Sequence, residues 1–316
     1  MNEFSEQTNT DIKMDAPEYK PSKVRQAGIF LFGFFCFLFF LVMKLPEARI
    51  QNYITAHMRI LAQEQGFLFS ADKVRIGLLF GPSVKFYDIS LKSVEDDKVQ
   101  IKVPYVKISP RLLSLFSSTK KFDFSVELDQ GDADGTAGAS KDSMYFKVDL
   151  DRIALDKLSV LKKFIAIDLK GIISGNVKLD LSFEQPEKSS GVLDLKVNNI
   201  VLPAQNAFGF NLPNLQVRES TVDVNISKGK IYIRTLELGN DVKKDDVVVK
   251  VTGEGMMERN LDRSKINAKA SLELSPKIFQ SFPILESIMA GAKAADKKYY
   301  YKLSGSLLSP MVTPGG

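Results

Sequence analysis

The sequence predicts a mainly β fold: an elongated, twisted antiparallel sheet with a few short helices, preceded by one transmembrane helix. Three observations carry this reading. Apolar and polar residues alternate with a period of two along most of the chain after Gly66. An uncharged apolar run, Ala27 to Met43, lies near the start. The connections between alternating segments are short, which favours hairpins over the helical crossovers of a parallel sheet.

The apolar run contains Phe30, Phe32, Phe34, Phe35, Phe37, Phe39 and Phe40. Its 17 residues would span about 25 Å as a helix, the short end of what crosses a bilayer. It has no polar face, which argues against a surface helix. Leu45, Pro46, Glu47 and Ala48 make a poor cleavage site, and the run begins late for a cleaved signal peptide. The expectation is an uncleaved signal anchor over 27–43. Lys13, Lys20, Lys23 and Arg25 precede it and Lys44, Arg49 and Arg59 follow, a slight bias toward a cytoplasmic N-terminus. Residues 1–26, polar and punctuated by Pro17 and Pro21, then read as a disordered cytoplasmic tail.

Residues 46–65 show helical spacing, with Ile50, Ile54, Met58 and Leu61 on one stripe and Gly66 as a stop. This is the expected juxtamembrane helix, and His57 reads as a polar residue on it. Residues 66–316 form the expected β-rich domain. "FDFSVEL" sets Phe122, Phe124, Val126 and Leu128 against Asp123, Ser125 and Glu127. "MYFKVDL" does the same with Met144, Phe146, Val148 and Leu150. "ISGNVKLDLSF" alternates Ile173, Gly175, Val177, Leu179, Leu181 and Phe183 with polar residues, and "INAKASLEL" alternates Ile266, Ala268, Ala270, Leu272 and Leu274. Such strands have one dry and one wet face, so Phe124 and Leu179 are expected to be buried and Lys178 exposed. Similar segments lie near 73–80, 84–91, 98–109, 191–197, 221–226, 231–238, 246–252 and 299–308. Three further short helices are expected: Ser109–Phe116, Asp156–Phe164, and Ser275–Lys293 with a kink at Pro283. The last two each lead through a lysine-bearing linker to a strand with Ser-Gly, Ser174-Gly175 and Ser304-Gly305. This echo suggests a repeated unit in which a short helix caps a sheet.

Composition narrows the chemistry. Net charge is +5, with 43 basic and 38 acidic residues interspersed and no basic helix, which argues against nucleic-acid binding. One cysteine, Cys36, and one histidine, His57, exclude an internal disulfide, a His/Cys zinc site and a Ser-His-Asp triad away from the anchor. Asp129, Asp132 and Asp134 hint at calcium, but the EF-hand frame puts Gln130 first and Lys141 last, and the match fails. Gly131, Ala133, Gly135, Ala137 and Ala139 alternate as in a strand instead. "DVKKDD" (Asp241–Asp246) reads as a charged, solvated hairpin tip. In "YYYK", alternation sets Tyr300 opposite Tyr299 and Tyr301. No constellation supports catalysis, and no cofactor or metal site is expected.

"VRIGLLFGPSVKFYDISLKS" followed by "VPYVKISPRLLSLFSSTKKFDFSVEL" resembles the N-terminal portion of the AsmA-like envelope proteins. Those also begin with a signal anchor, then strands ending in a P-x-L-L short helix, here Pro110, Leu112 and Leu113. "YKLSGSLLSPMV" is similar to their closing strand, through Leu303, Ser304, Gly305 and Pro310. Size and order best match the short branch found in type II secretion operons, the protein N (GspN) family of the deltaproteobacterial kind. The resemblance implies a bacterial inner-membrane anchor, a curved periplasmic sheet and no catalytic residues. It implies one of two roles. The first, favoured on sequence, is an accessory of type II secretion acting through contacts with other secretion components. The alternative is a lipid-handling groove that binds phospholipid acyl chains, lined by Phe122, Phe124, Phe146, Val177, Leu179 and Leu272.

Overall fold

The computed structural model describes residues 30, 32–33, 36–37, 46–77, 81–94, 100–158, 167–207, 210–260 and 263–315. Met1–Glu47 and Ala48–Gly316 are two separate units. In the first, Phe30, Phe32 and Phe37 have helical backbone and exposed side chains. Phe34, Phe35, Phe39 and Phe40, with most of the apolar run, lie outside the described residues. Among the described residues no helix is long and apolar enough to cross a membrane.

α1 (Glu47–Glu64), all but its first residue in the second unit, lies within a residue of its expected bounds at each end. Gly66 then takes the left-handed conformation (φ +76°) that ends a helix without a Cβ clash. The strands follow as β1 (Phe67–Gly77), β2 (Ser83–Ser93), β3 (Gln100–Pro110), β4 (Lys120–Glu127), β5 (Asp132–Ala139), β6 (Ser143–Ala154), β7 (Lys170–Ser182) and β8 (Ser190–Leu202). After them come β9 (Gln205–Ala207), β10 (Phe210–Leu212), β11 (Leu215–Ser227), β12 (Lys230–Leu238), β13 (Val247–Met256) and β14 (Lys265–Leu274). Two short helices, α2 (Pro276–Ser281) and α3 (Ile284–Met289), precede β15 (Tyr299–Ser306) and β16 (Pro310–Pro314). Fourteen strands form one sheet in chain order, with β8 passing directly to β11, and β9 and β10 pair as a separate hairpin. Every pairing is antiparallel, for example β1 with β2 and β7 with β8. The expected mainly β, antiparallel fold with few short helices is what forms.

Local chemistry explains the turns. Ser227 pairs with Lys230 across a two-residue tip in which Lys228 and Gly229 have φ of +51° and +73°. Both positive values mark a turn whose twist matches the strands it joins. The "SPRLLSLF" segment is a five-residue 3-10 turn, Leu112–Phe116, rather than a full helix. Asp156–Phe164 begins with a 3-10 turn at Leu155–Lys157, and most of the remainder lies outside the described residues. The third segment breaks at Phe282-Pro283, as its proline requires.

Alternation alone would fail where three strands break phase side by side. In β1 to β3 the apolar sets are Phe69, Ala71, Val74 and Ile76, then Val84, Phe86, Ile89 and Leu91, then Ile101, Val103, Val106 and Ile108. Each skips a phase, at Asp72, at Asp88 (φ +49°) and at Pro104. The register pairs Ala71 with Ile89 and Lys73 with Tyr87, and Tyr87 with Tyr105 and Ile89 with Val103. The three strands therefore change phase together and keep one dry face.

That face holds three packed clusters, two of them under helices; the third buries Leu181, Ile231 and Met257 against Leu179, Val224, Ile226 and Ile233. Ile54, Met58 and Ala62 of α1 pack on the cluster of Phe69, Phe86, Ile89 and Val103. Phe279, Leu285 and Met289 of α2 and α3 pack with Leu272, Leu274, Tyr299 and Tyr301. Between these ends the expectation of a buried dry face holds for Val148, Leu181 and Ile231 and is corrected for others. Phe124 and Leu179 are half-buried and Phe122 is 40% exposed. Their neighbours on the sheet flank them, but among the described residues no second layer covers them. Lys178, on the opposite face, is exposed as expected.

The reading of Asp241–Asp246 as a solvated tip is also corrected. Asp245 is 2% exposed. It accepts hydrogen bonds from the backbone N–H of Arg218 (2.8 Å), Asn240 (3.0 Å) and Asp241 (3.2 Å). The Arg218 guanidinium adds two more, from Nε (3.2 Å) and Nη2 (3.1 Å). Burial acts to raise the Asp245 pKa, but these donors outweigh it and hold the carboxyl well below the usual carboxylate range. The tip of the β12–β13 hairpin is thereby tied to the start of β11.

Two outcomes follow for stability. Leu179→Asp should destabilise the second unit by about 3 kcal/mol in urea unfolding, while Lys178→Asp should stay within about 0.5 kcal/mol; equal damage from the two would mean the faces are misassigned. Asp245→Ala leaves three backbone N–H groups without their acceptor and should cost about 2 kcal/mol at neutral pH. Because the folded carboxyl titrates below the unfolded one, this stabilisation is complete above the unfolded pKa of about 4 and is lost as pH falls further. Unfolding curves of the two proteins should run parallel at pH 5–8 and converge only in acid.

Candidate functional site

The dry face is continuous across all fourteen strands of the sheet, because cross-strand partners share a face. One row begins Val74, Phe86, Val106, Val126, Ala133, Leu150 and Gly175. It continues through Leu195, Val222, Leu236, Val251, Ala270, Tyr301 and Pro314. The adjacent row runs Ile76, Val84, Ile108, Phe124, Gly135, Val148 and Val177, then Leu193, Val224, Ile233, Gly253, Ala268, Leu303 and Val312. A third runs from Phe122 through Ala137, Phe146, Leu179, Gly191, Ile226 and Ile231 to Gly255, Ile266 and Gly305. Tyr301 is the one ionisable side chain in the three rows, and burial pushes its phenol pKa up.

Of the six residues expected to line a groove, Phe122, Phe124, Phe146, Val177 and Leu179 come together on β4, β6 and β7. Leu272 does not join them: it lies on β14 beneath Phe279 and Leu285. Sequence reading missed the part played by β5. Its inward residues are Ala133, Gly135 and Ala137, between the larger side chains of β4 and β6. The Phe124 and Phe146 rings lean over this low strand, with centroids 6.1 Å apart and planes 20° from parallel. A Cβ on Gly135 would meet Phe124 Cζ at 2.6 Å and the Lys147 carbonyl at 2.3 Å. Leu179 similarly leans over Gly191, whose Cβ would meet Leu179 Cδ2 at 2.8 Å. The small residues lower the floor, and the rings and leucines fill it from either side. The signal was present in "DADGTAGA", once that stretch is placed beside two aromatic strands.

The wet face has a different chemistry. Arg111 Nε lies 2.9 Å from both carboxylate oxygens of Asp123. Its Nη2 donates to Thr136 Oγ1 at 3.0 Å, and Thr136 donates to Asp123 Oδ1 at 2.6 Å. The Arg111 guanidinium, helped by Thr136, holds the Asp123 carboxyl below its usual range against the effect of burial. Among the described residues no group of three or more His, Cys, Asp or Glu side chains is placed to hold a metal ion. His57 stacks on Tyr53, with centroids 6.0 Å apart.

The arrangement therefore offers acyl or side-chain carbon a broad dry surface whose three rows carry no carboxylate, amine or guanidinium. No protein-family model, curated protein or solved structure matches the chain.

Gly135→Val should displace the Phe124 ring and the β6 backbone and destabilise by about 1–3 kcal/mol. Urea unfolding reads the loss, and a near-neutral result would mean the floor of β5 is not tightly filled.

Proposed function

We propose that this protein is an envelope protein anchored in the bacterial inner membrane, whose periplasmic sheet holds phospholipid acyl chains on its dry face. The observation that carries this is the patch on β4, β6 and β7 where Phe124, Phe146, Val177 and Leu179 are half-buried and Phe122 is 40% exposed, between ends covered by α1 and by α2 and α3. An apolar patch of this extent on a protein surface marks a binding surface. The lack of ionisable groups over β4 to β12 suits hydrocarbon, because a charge facing acyl chains would be costly to desolvate. The seven-phenylalanine run supplies the anchor in this reading, and the resemblance to AsmA-like proteins supports the same arrangement.

A second reading is an accessory of type II secretion that works through protein contacts. It draws on the order of motifs along the chain, from "PRLLSLF" to "YKLSGSLLSPMV". On sequence alone it ranks first. Among the described residues no helix packs on Phe122, Phe146 and Val177 as helices pack on Leu272, and this favours lipid over a closed scaffold.

The test is extraction. Residues 48–316, secreted to the periplasm and purified without detergent, should carry phospholipid at about one molecule or more per chain. Val177→Asp should lose that lipid while keeping the circular dichroism spectrum of the parent. Lipid-free protein that instead co-purifies with secretion components would favour the second reading.

A further inference from the structure

The 3-10 turn between β3 and β4 is a motif that the lipid-holding face does not use. Leu112, Leu113 and Phe116 are 52%, 88% and 92% exposed on it. Single exposed leucines are ordinary, but three large apolar side chains at one turn are not. The turn is also held rigid. Arg111 N–H donates to the Lys121 carbonyl (3.0 Å), and Ser114 Oγ donates to the Arg111 carbonyl (2.7 Å) and accepts from Lys121 N–H (2.9 Å). Ser117 N–H donates to the Ser114 carbonyl (3.0 Å), and the Arg111 side chain is braced by Asp123 and Thr136 as described above. These bonds satisfy backbone groups of the turn internally, which is the condition for entering a medium that offers few partners.

Beside this knuckle lies a second, independent oddity. Arg75, Lys85 and Lys107 stand directly opposite one another across β1, β2 and β3. Like charges facing across a sheet are destabilising, and none of the three makes an ion pair among the described residues. Farther along the wet face cations do have partners, as in Lys196–Glu219, Lys250–Glu237 and Lys298–Glu273. The basic row passes through Ser125 and turns acidic at Asp134, so it is confined to the knuckle's neighbourhood. Lys85, Lys107 and Leu112 line one depression with Ile76, Pro82 and Pro110.

We propose that this knuckle and its basic row dock on an anionic phospholipid bilayer surface, the leucines and phenylalanine entering the interface and the cations meeting headgroup phosphates. Apolar side chains backed by cations are the combination that binds such surfaces. An apolar pocket on a protein would satisfy the knuckle but leave the facing cations unneutralised. The basic row lies on the face opposite the acyl-chain surface, and the knuckle follows the end of β3, where Pro110 pairs with Phe122.

The full chain, with Cys36→Ser, would be labelled with an environment-sensitive fluorophore at Leu113→Cys, at Phe116→Cys, or at Thr313→Cys on the far edge strand. Each would be reconstituted in vesicles of phosphatidylethanolamine with phosphatidylglycerol, and in vesicles of phosphatidylcholine alone. In anionic vesicles, brominated lipid should quench the labels at 113 and 116 and spare that at 313. Lys85→Ala with Lys107→Ala should weaken docking about fivefold per lysine, and high salt should do likewise. Quenching at 113 no greater than at 313 would overturn the proposal and leave the knuckle to a protein partner. Equal quenching in phosphatidylcholine would overturn the role of the basic row. Neither result depends on whether residues 48–316 retain extracted phospholipid, so failure here and failure of the acyl-chain reading are separable.

Discussion

Phase is the constraint on which everything else in this sheet depends. Side chains on a strand alternate with a period of two, so one slipped residue sends every following apolar group to the wrong face. Thirteen pairings in series would propagate any such slip. The chain tolerates interruptions only where neighbours compensate. Asp72, Asp88 and Pro104 break phase together in β1 to β3. Arg152 (φ +48°) sits in a bulge that still leaves Ile153 opposite Ile173. Asn199 (φ +54°) lets Val197 and Ile200 face the same side. Within the strands, the left-handed residues Asp88, Arg152 and Asn199 thus act as phase corrections, and the unbroken dry rows depend on such compensation.

This explains what could be read from sequence. Alternation in "ISGNVKLDLSF" identifies a strand and its two faces without reference to any other part of the chain. It does not say what lies over the dry face, because Val177 would alternate identically beneath a helix or beneath nothing. Whether a second layer covers the face is not written in the alternating residues, and among the described residues none lies over Val177. Asp245 failed for a related reason. Its partner Arg218 lies on another strand, 27 residues earlier, and a run of lysines and aspartates looks solvated until that contact is formed. The exposure of Leu113 and Phe116 was likewise hidden, since "RLLSLF" has the spacing of a helix with a buried stripe.

An uncovered apolar sheet is an aggregation hazard, and the edges show how it is contained. β16 is five residues long with Pro310 and Pro314 at its ends, and proline cannot donate to an added strand. β1 is longer but carries Asp72, Lys73 and Arg75 on its wet side and a kink at its middle. Lateral growth of the sheet is discouraged at both edges, while the face itself stays available. That separation is what a binding surface requires and what an ordinary β core does not.

The wet face cannot make up the stability that a second layer over these strands would add. Its pairs, such as Lys250–Glu237 at 3.1 Å and Lys196–Glu219 at 3.0 Å, are substantially exposed, and such pairs contribute about 0–1 kcal/mol each. Stability between the covered ends must come from the hydrogen-bonded ladder and from side chains touching sideways along the dry rows, as Phe124 and Phe146 do over Gly135. The same side chains are therefore both the cohesion of the sheet and the surface on which the proposed binding would take place. Anything apolar that settles on them removes further area from water at about 25 cal/mol per Å² and binds only the folded chain. Occupancy and folding are then linked by mass action, and the sheet is most stable when its dry face is filled.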